Sequence, residues 1–205
     1  YWPDLRRFRW FFFKSNIEVG VDISPTDLLK ADRFKKYRHL YVEDARNLSF
    51  TDNSFSTVIS ISVLEHIPQV NQAIKESYRV LKPGGYFIIT VPTRELNNYL
   101  FYPYWLNRVF RHVNLWPVTR WEHLLTQTGF KLILSQTFIS QTVARIWELF
   151  LITALPSQLF RWLTGHRLIW RLNWKKRLLN RLFGYLIHQK PGSGCNLILV
   201  AQKPF

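Results

Sequence analysis

Residues 52–92 constrain the fold of this chain more than any other stretch. Residues 56–63 are a short apolar run rich in β-branched side chains, as a buried parallel strand requires. Residues 70–81 repeat apolar side chains at helical spacing and end at a Pro-Gly-Gly sequence that stops a helix. Residues 86–91 form a second apolar run. The pattern predicts a right-handed crossover unit of strand, helix and parallel strand.

The composition narrows the class of protein. Cys195 is the one cysteine, so an internal disulfide framework is excluded and a reducing compartment is favoured. No apolar run reaches the roughly 18 residues that suggest a membrane span; the best, residues 146–155, contains Glu148. These features predict a cytoplasmic location, with peripheral membrane contact as a further expectation from the charge pattern described below.

Four segments carry a resemblance to a known family. The stretches SFSTVISISVLEHI and YRVLKPGGYFIITVP resemble the fourth-to-fifth strand segment of class I S-adenosylmethionine-dependent methyltransferases. They are most similar to the type 11 group typified by ubiquinone and menaquinone biosynthesis methyltransferases. WEHLLTQTGFKL and CNLILVAQ resemble the regions of the sixth and seventh strands. The resemblance implies an α/β, Rossmann-like sheet, mostly parallel with an antiparallel last strand, and S-adenosyl-L-methionine as cofactor.

The start of the chain departs from the family pattern. Residues 17–23 resemble the second strand, and the family carries a first strand and a glycine-rich loop before it. Residues 1–8, the corresponding window, contain no glycine. The chain is therefore expected to be N-terminally incomplete, either as a piece of a longer enzyme or with residues 8–13 filling the strand position without the loop. Both alternatives predict weakened cofactor binding, because glycines let the backbone approach the cofactor.

The resemblance assigns four cofactor-binding residues to the ends of the second and third strands. Asp22 would accept hydrogen bonds from both ribose hydroxyls, and Ile23 would lie against the adenine. Asp44 would accept from the adenine amine, with the Ala45 backbone beside it. The alternatives are a helix-capping Asp22, a core Ile23 and a turn-forming or solvated Asp44.

The end of the fourth strand supplies the other candidate site residues. Ser60 and Ser62 lie at the carboxyl edge, where open parallel sheets bind ligands. His66 is the one candidate for a general base, since its ordinary pKa lies near neutrality; a structural histidine is the alternative. Several metal-dependent methyltransferases carry Glu-x-x-Glu-His here. This chain has Ser62 in place of the first Glu of that motif, so Glu65 and His66 lack a third ligand and no metal is predicted.

Bulky aromatics follow the fifth strand in residues 93–110. In the family this region often caps the acceptor pocket, although loop packing is the alternative. Either interpretation favours an apolar small-molecule acceptor over a sugar or a free amino acid.

The last third of the chain is unusually basic. Residues 141–205 hold 10 Lys and Arg against Glu148 alone, a net +9 of the chain's +15. We predict an α/β domain of residues 1–140 and 193–205, interrupted by a basic, aromatic helical insertion at residues 141–192. Within it, residues 159–190 resemble an in-plane membrane helix that would bind an anionic surface. A cap or dimer surface is the alternative, and nucleic acid is disfavoured because no recognised module accompanies the charge.

Two functions fit these patterns. The first is methyl transfer from S-adenosylmethionine to an apolar or membrane-associated acceptor. The second is a catalytically inactive, methyltransferase-like fragment that acts through its basic helices on a membrane or protein partner.

Overall fold

The structure, a computed structural model, describes residues 17–149, 151 and 194–205. This part of the chain contains six strands and six α-helices. The strands are β1 (Ile17–Asp22), β2 (Tyr37–Val42), β3 (Phe55–Ile61), β4 (Leu81–Pro92), β5 (Lys131–Phe138) and β6 (Asn196–Gln202). The helices are α1 (Pro25–Asp32), α2 (Val70–Val80), α3 (Leu96–Tyr99), α4 (Pro103–Phe110), α5 (Val118–Gln127) and α6 (residues 141–149).

The predicted crossover unit is present. Strands β3 and β4 pair in parallel, and α2 connects them. Helix α2 ends one residue before the predicted boundary and buries Val70, Ile74 and Val80, while Lys75 is exposed. This burial follows from the helical spacing of its apolar side chains.

The Pro-Gly-Gly sequence lies inside β4 as an irregularity. Phe55 pairs with Leu81 and Thr57 pairs with Tyr86, so the residues between them bulge out of register. Gly84 has φ +77°, and a Cβ there would come within 2.7 Å of the Phe205 ring. Glycine is therefore favoured here by the backbone angle, whereas the exposed Phe205 ring at the close approach is free to shift.

Strands β3 to β6 form one mixed sheet in the order β3-β4-β6-β5. Strand β6 is antiparallel to both β4 and β5, which confirms the predicted mostly parallel sheet with an antiparallel last strand. The main core lies on this sheet, between its strands, α2 and α5. Its fully buried side chains include Ile74, Phe87, Ile89, Trp121, Leu125, Leu197 and Leu199.

Strands β1 and β2 form a separate two-stranded parallel sheet. Helix α1 connects them and begins at Ser24, whose side chain accepts a hydrogen bond from the Asp27 amide at 3.3 Å. Among the described residues no strand pairs with both β1 and β3. Residues 1–16 lie outside the described residues, so the missing first strand and loop, and the alternative role of residues 8–13, stay predictions.

A second core cluster lies at the end of the domain. Ala144 of α6 packs there with Leu96, Leu106 and Cys195. Glu148 is buried and accepts hydrogen bonds from the amides of Phe101 and Tyr102, each at 2.6 Å. The first residues of the predicted insertion thus pack on the α/β domain. Residues 150 and 152–193, including the predicted membrane-binding stretch 159–190, lie outside the described residues.

Within the described ranges, no helix is long and apolar enough to cross a membrane.

Candidate functional site

The ends of β1 and β2 form one edge of the candidate site. Asp22 pairs with Val42 in the parallel register, and the Glu43 amide donates to the Asp22 carbonyl at 3.1 Å. The Asp22 carboxylate accepts one hydrogen bond, from the Ser24 amide to Oδ1 at 2.8 Å. Its Oδ2 accepts none from the described part of the chain. Ser24, and not Asp22, is the N-cap residue of α1. The Asp22 carboxylate is therefore not used by the helix cap and can accept further hydrogen bonds from a ligand.

Apolar side chains stand exposed beside this carboxylate. Ile23, which follows β1, is 67% exposed, and Val42, which ends β2, is 57% exposed. Ile61 and Val63, at and beyond the end of β3, are also exposed. Apolar surface next to a carboxylate at the carboxyl edge of strands is suited to a ligand with both an apolar ring and hydroxyl groups.

The Asp44 carboxylate is paired with the side chain of Arg46. Both carboxylate oxygens of Asp44 accept hydrogen bonds from the Arg46 guanidinium, at 2.6–3.0 Å, and Oδ1 also accepts from the Arg46 amide. These hydrogen bonds hold the pKa of Asp44 below its ordinary value. An adenine amine would share this carboxylate with Arg46. Ala45, the next residue, packs against the main core.

The turn that holds Asp44 is linked to the segment after β3. Arg46 Nη1 donates to Gln69 Oε1 at 3.5 Å, and the Leu48 amide donates to Glu76 of α2 at 2.9 Å. The two strand pairs therefore share contacts at the candidate site even though no hydrogen-bonded ladder joins them in the described residues.

The two serines lie at different depths along β3. Ser60 is half-buried and pairs with Ile89 in the sheet. Ser62 is exposed just beyond the strand, with φ +51°, and its amide donates to the Thr90 carbonyl at 2.8 Å. A positive φ is uncommon for serine, and such backbone angles concentrate at functional sites.

His66 lies close to Glu65 and His112, and all three side chains are of types that can bind a metal ion. It lies in a 3₁₀ turn, Leu64–His66, where its Nε2 is 3.7 Å from Glu65 Oε1. The ring stacks on His112, with 5.1 Å between the ring centroids. Burial raises the pKa of Glu65, and burial together with the nearby His66 lowers the pKa of His112 to about 4. Sequence spacing does not reveal His112, because it lies 46 residues beyond His66.

The aromatic side chains after β4 are largely exposed. Tyr104 of α4 is 90% exposed, and Phe101, Tyr102 and Trp105 are also exposed. Tyr99 and Phe110 of the same stretch instead pack against the second core cluster. Loop packing thus accounts for part of this aromatic stretch, and the exposed side chains are available for contact with a ligand.

Comparison with known proteins bears on the fold and the cofactor. The family described as a methyltransferase domain matches residues 8–89. The arsenite methyltransferase of Aquipseudomonas alcaligenes is 38% identical over 33% of this chain and 23% of its own length. The demethylmenaquinone methyltransferase of Symbiobacterium thermophilum is 31% identical over 42% of this chain and 38% of its own length. The matches thus span well under two thirds of these relatives.

The fold is also similar to that of a solved S-adenosylmethionine-dependent methyltransferase of Thermotoga maritima. The TM-score is 0.58 at 19% identity, covering 91% of this chain and 73% of that chain. At this identity the likeness concerns the fold alone, since one fold hosts many functions. The described residues thus have the Rossmann-like class I methyltransferase fold, and the family match supports S-adenosylmethionine as the cofactor.

Proposed function

We propose that this chain binds S-adenosylmethionine and transfers its methyl group to an apolar small-molecule acceptor. The proposal depends on one observation. Asp22 lies next to the exposed apolar residues Ile23 and Val42, at the carboxyl ends of two parallel strands. The family match over residues 8–89 supports the same cofactor.

The residues at this edge fit a nucleoside. Asp22 Oδ2 accepts no hydrogen bond from the described residues, and a carboxylate offers the acceptor sites that two ribose hydroxyls need. Ile23 and Val42 supply apolar surface for a purine ring. Asp44 would accept the adenine amine in competition with Arg46, which occupies both of its oxygens. Ser60 and Ser62, at and just beyond the carboxyl end of β3, would contribute polar groups from that strand.

When bound, the cofactor supplies an electrophilic methyl group on a sulfonium. The chain would contribute alignment of the acceptor with that group, which is the larger part of catalysis for such a transfer. Removal of a proton from the acceptor by His66 stays a prediction.

The acceptor is proposed to be apolar because of the exposed aromatics of residues 101–105. Aromatic, mostly apolar surface with few polar groups is typical of small-molecule sites. The relative from Symbiobacterium is named for a quinone precursor, whereas the relative from Aquipseudomonas is named for arsenite. The relatives thus span more than one acceptor class, and the aromatic surface favours the former.

A membrane-associated acceptor would be met at an anionic lipid surface. The net +9 of residues 141–205 supports this part of the proposal, because clustered Lys and Arg are attracted to anionic headgroups. Sedimentation with anionic vesicles at low salt tests it. We expect the chain to pellet with anionic vesicles and to stay in the supernatant with neutral ones. If it stays in the supernatant with both, the proposed membrane contact is wrong.

Calorimetric titration of the chain with S-adenosylhomocysteine tests the cofactor. Asp22→Asn keeps an oxygen for the Ser24 amide but removes the charge and one acceptor site. We expect about tenfold weaker binding for this variant, since a hydrogen bond to a charged group is worth about 1.5–3 kcal/mol. The matched control is Asp32→Asn, which removes an exposed carboxylate of α1 that pairs with Lys35. It should leave the affinity unchanged.

Two results would count against the proposal. Absence of binding at millimolar ligand would favour the inactive, methyltransferase-like alternative. Equal affinities for Asp22→Asn and the unmodified chain would remove Asp22 from the site.

A further inference from the structure

We propose that Glu65, His66 and His112 form a binding site for a divalent first-row transition-metal ion. Each residue offers one ligand atom, and these atoms all lie within 4.8 Å of one another. Two imidazole nitrogens and one carboxylate oxygen are a donor set that suits Zn²⁺ or Fe²⁺. The inference does not depend on the proposed methyl transfer.

The carboxylate is the first reason to expect a cation. Glu65 is 2% exposed, and its buried Oε2 has no hydrogen-bond partner among the described residues. A buried carboxylate is costly unless it is paired, hydrogen-bonded or bound to a metal. His66 Nε2 is 3.7 Å from the other oxygen, Oε1, which is too long for a hydrogen bond. A metal ion would satisfy this side chain.

Both histidine rings have an oxygen acceptor near Nδ1. His112 Nδ1 donates to Asn107 Oδ1 at 2.9 Å. The side-chain Nδ2 of Asn107 donates in turn to Asn97 Oδ1 at 2.6 Å. His66 Nδ1 lies 3.4 Å from the Arg111 carbonyl oxygen. An oxygen beside Nδ1 of each ring favours the tautomer that carries its proton on Nδ1, which leaves the Nε2 lone pair for a metal ion. Metal-ligating histidines almost always show this outer support.

Hydrogen bonds hold the segment of His112 against the turn that contains Glu65 and His66. The amides of Val113 and Asn114 both donate to the Glu65 carbonyl, at 2.9 and 3.0 Å. The Asn114 side chain donates to the carbonyls of Leu64 and Ile67, at 2.8 and 2.7 Å. Four hydrogen bonds therefore clamp the turn of Glu65 and His66 to the segment of His112, and the cluster is held together without the ion.

The class of ion follows from the donor atoms and from access. Mg²⁺ and Ca²⁺ prefer oxygen ligands, so a set with two imidazoles disfavours them. The His66 side chain is 38% exposed, which provides a route from solvent. Three protein ligands leave a coordination position open, as in catalytic sites. An ion on His66 Nε2 would also take the lone pair that the predicted general base needs.

Calorimetric titration of the chelator-treated full chain with Zn²⁺ tests the site. We expect Glu65→Gln and His112→Gln each to weaken binding at least about tenfold, since even outer-support changes cost about 10–100-fold. His123→Gln is the matched control, because this exposed histidine of α5 lies outside the cluster. Mg²⁺ should bind much more weakly than Zn²⁺. Co²⁺ added to the unmodified chain should give a ligand-field absorption that His112→Gln loses and His123→Gln keeps.

A readout on the unmodified chain covers the case in which a variant fails to fold. Substoichiometric Co²⁺ should shift or broaden the ring resonances of His66 and His112 in NMR spectra before it affects those of His123. The proposal is overturned if Zn²⁺ does not bind at millimolar concentration, or if His112→Gln and His123→Gln bind it equally. It is also overturned if the rings of His66 and His112 respond to Co²⁺ no sooner than that of His123.

Discussion

The four-stranded sheet and the two-stranded sheet differ in how deeply their side chains are buried. In the four-stranded sheet, β4 and β6 bury alternate residues completely, including Phe87, Ile89 and Leu199. Among the described residues of β1, α1 and β2, Leu28 is the one that is buried. Most hydrophobic stabilisation should therefore reside in the four-stranded sheet.

The lightly packed unit carries the proposed nucleoside edge. Asp22, Ile23 and Val42 belong to it, whereas the cluster of Glu65, His66 and His112 is joined to the well-packed sheet. Ligand-binding elements are commonly drawn from the less stable parts of a fold. The comparison suggests that cofactor binding and stability can be changed separately in this chain.

Matched leucine truncations in the two units should differ most in their effect. Leu199→Ala removes a fully buried side chain from the main core, and we expect a loss of about 3–4 kcal/mol in the free energy of unfolding. Leu28→Ala should cost about 1–2 kcal/mol, because its more exposed surroundings can relax around it. Urea unfolding followed by circular dichroism measures both. Equal costs would show that the two units are packed alike.

Arg79 of α2 anchors the connection between the two units to the well-packed sheet. Its guanidinium donates bidentately to Glu76 at 2.8 Å and also to Asp52 and to the carbonyls of Leu48 and Phe50. The segment it holds leads from β2 to β3. Arg79→Ala should cost about 1–2 kcal/mol of unfolding free energy, discounted for its partial exposure.

Lys75→Ala is the control for Arg79→Ala on the same helix. Lys75 is exposed, so its removal should change the unfolding free energy by less than about 0.5 kcal/mol. A similar effect for both variants would show that the link contributes nothing measurable.

Thiol labelling sharpens the comparison without weakening the core. Cys195 is buried beside β6, and burial raises the pKa of its thiol to about 12. At pH 8 the thiolate is then about one part in ten thousand, so iodoacetamide should modify Cys195 only after the sheet opens. In Leu29→Cys, the second thiol replaces a 69% exposed leucine and should react at once. Prompt modification of Cys195 in the native chain would contradict its burial.

The pattern of strands and helices was predictable because it depends on local periodicity. Short apolar runs and helical spacing place β3 and α2 within one or two residues of their observed ends. The predicted end of β4 is within one residue of the observed one, but the strand begins five residues earlier than predicted, at Leu81. The antiparallel last strand came from the resemblance, and it is confirmed by the pairing of β6 with β4 and β5.

The candidate site was predictable only in part. The sequence placed Asp22, Asp44 and Ser62 at or just after strand ends, because a strand boundary is a local feature. The pairing of Asp44 with Arg46 depends on side-chain direction, which sequence distance does not reveal.

By itself, the sequence determined the α/β elements, their parallel crossover and the carboxylates at the strand ends, because hydrophobic periodicity and turn residues act over a few neighbours. Only the tertiary structure decided the strand order of the described residues and the meeting of His112 with Glu65 and His66. That meeting depends on backbone hydrogen bonds from Val113 and Asn114 to Glu65, between segments nearly 50 residues apart, and no local spacing encodes such a contact.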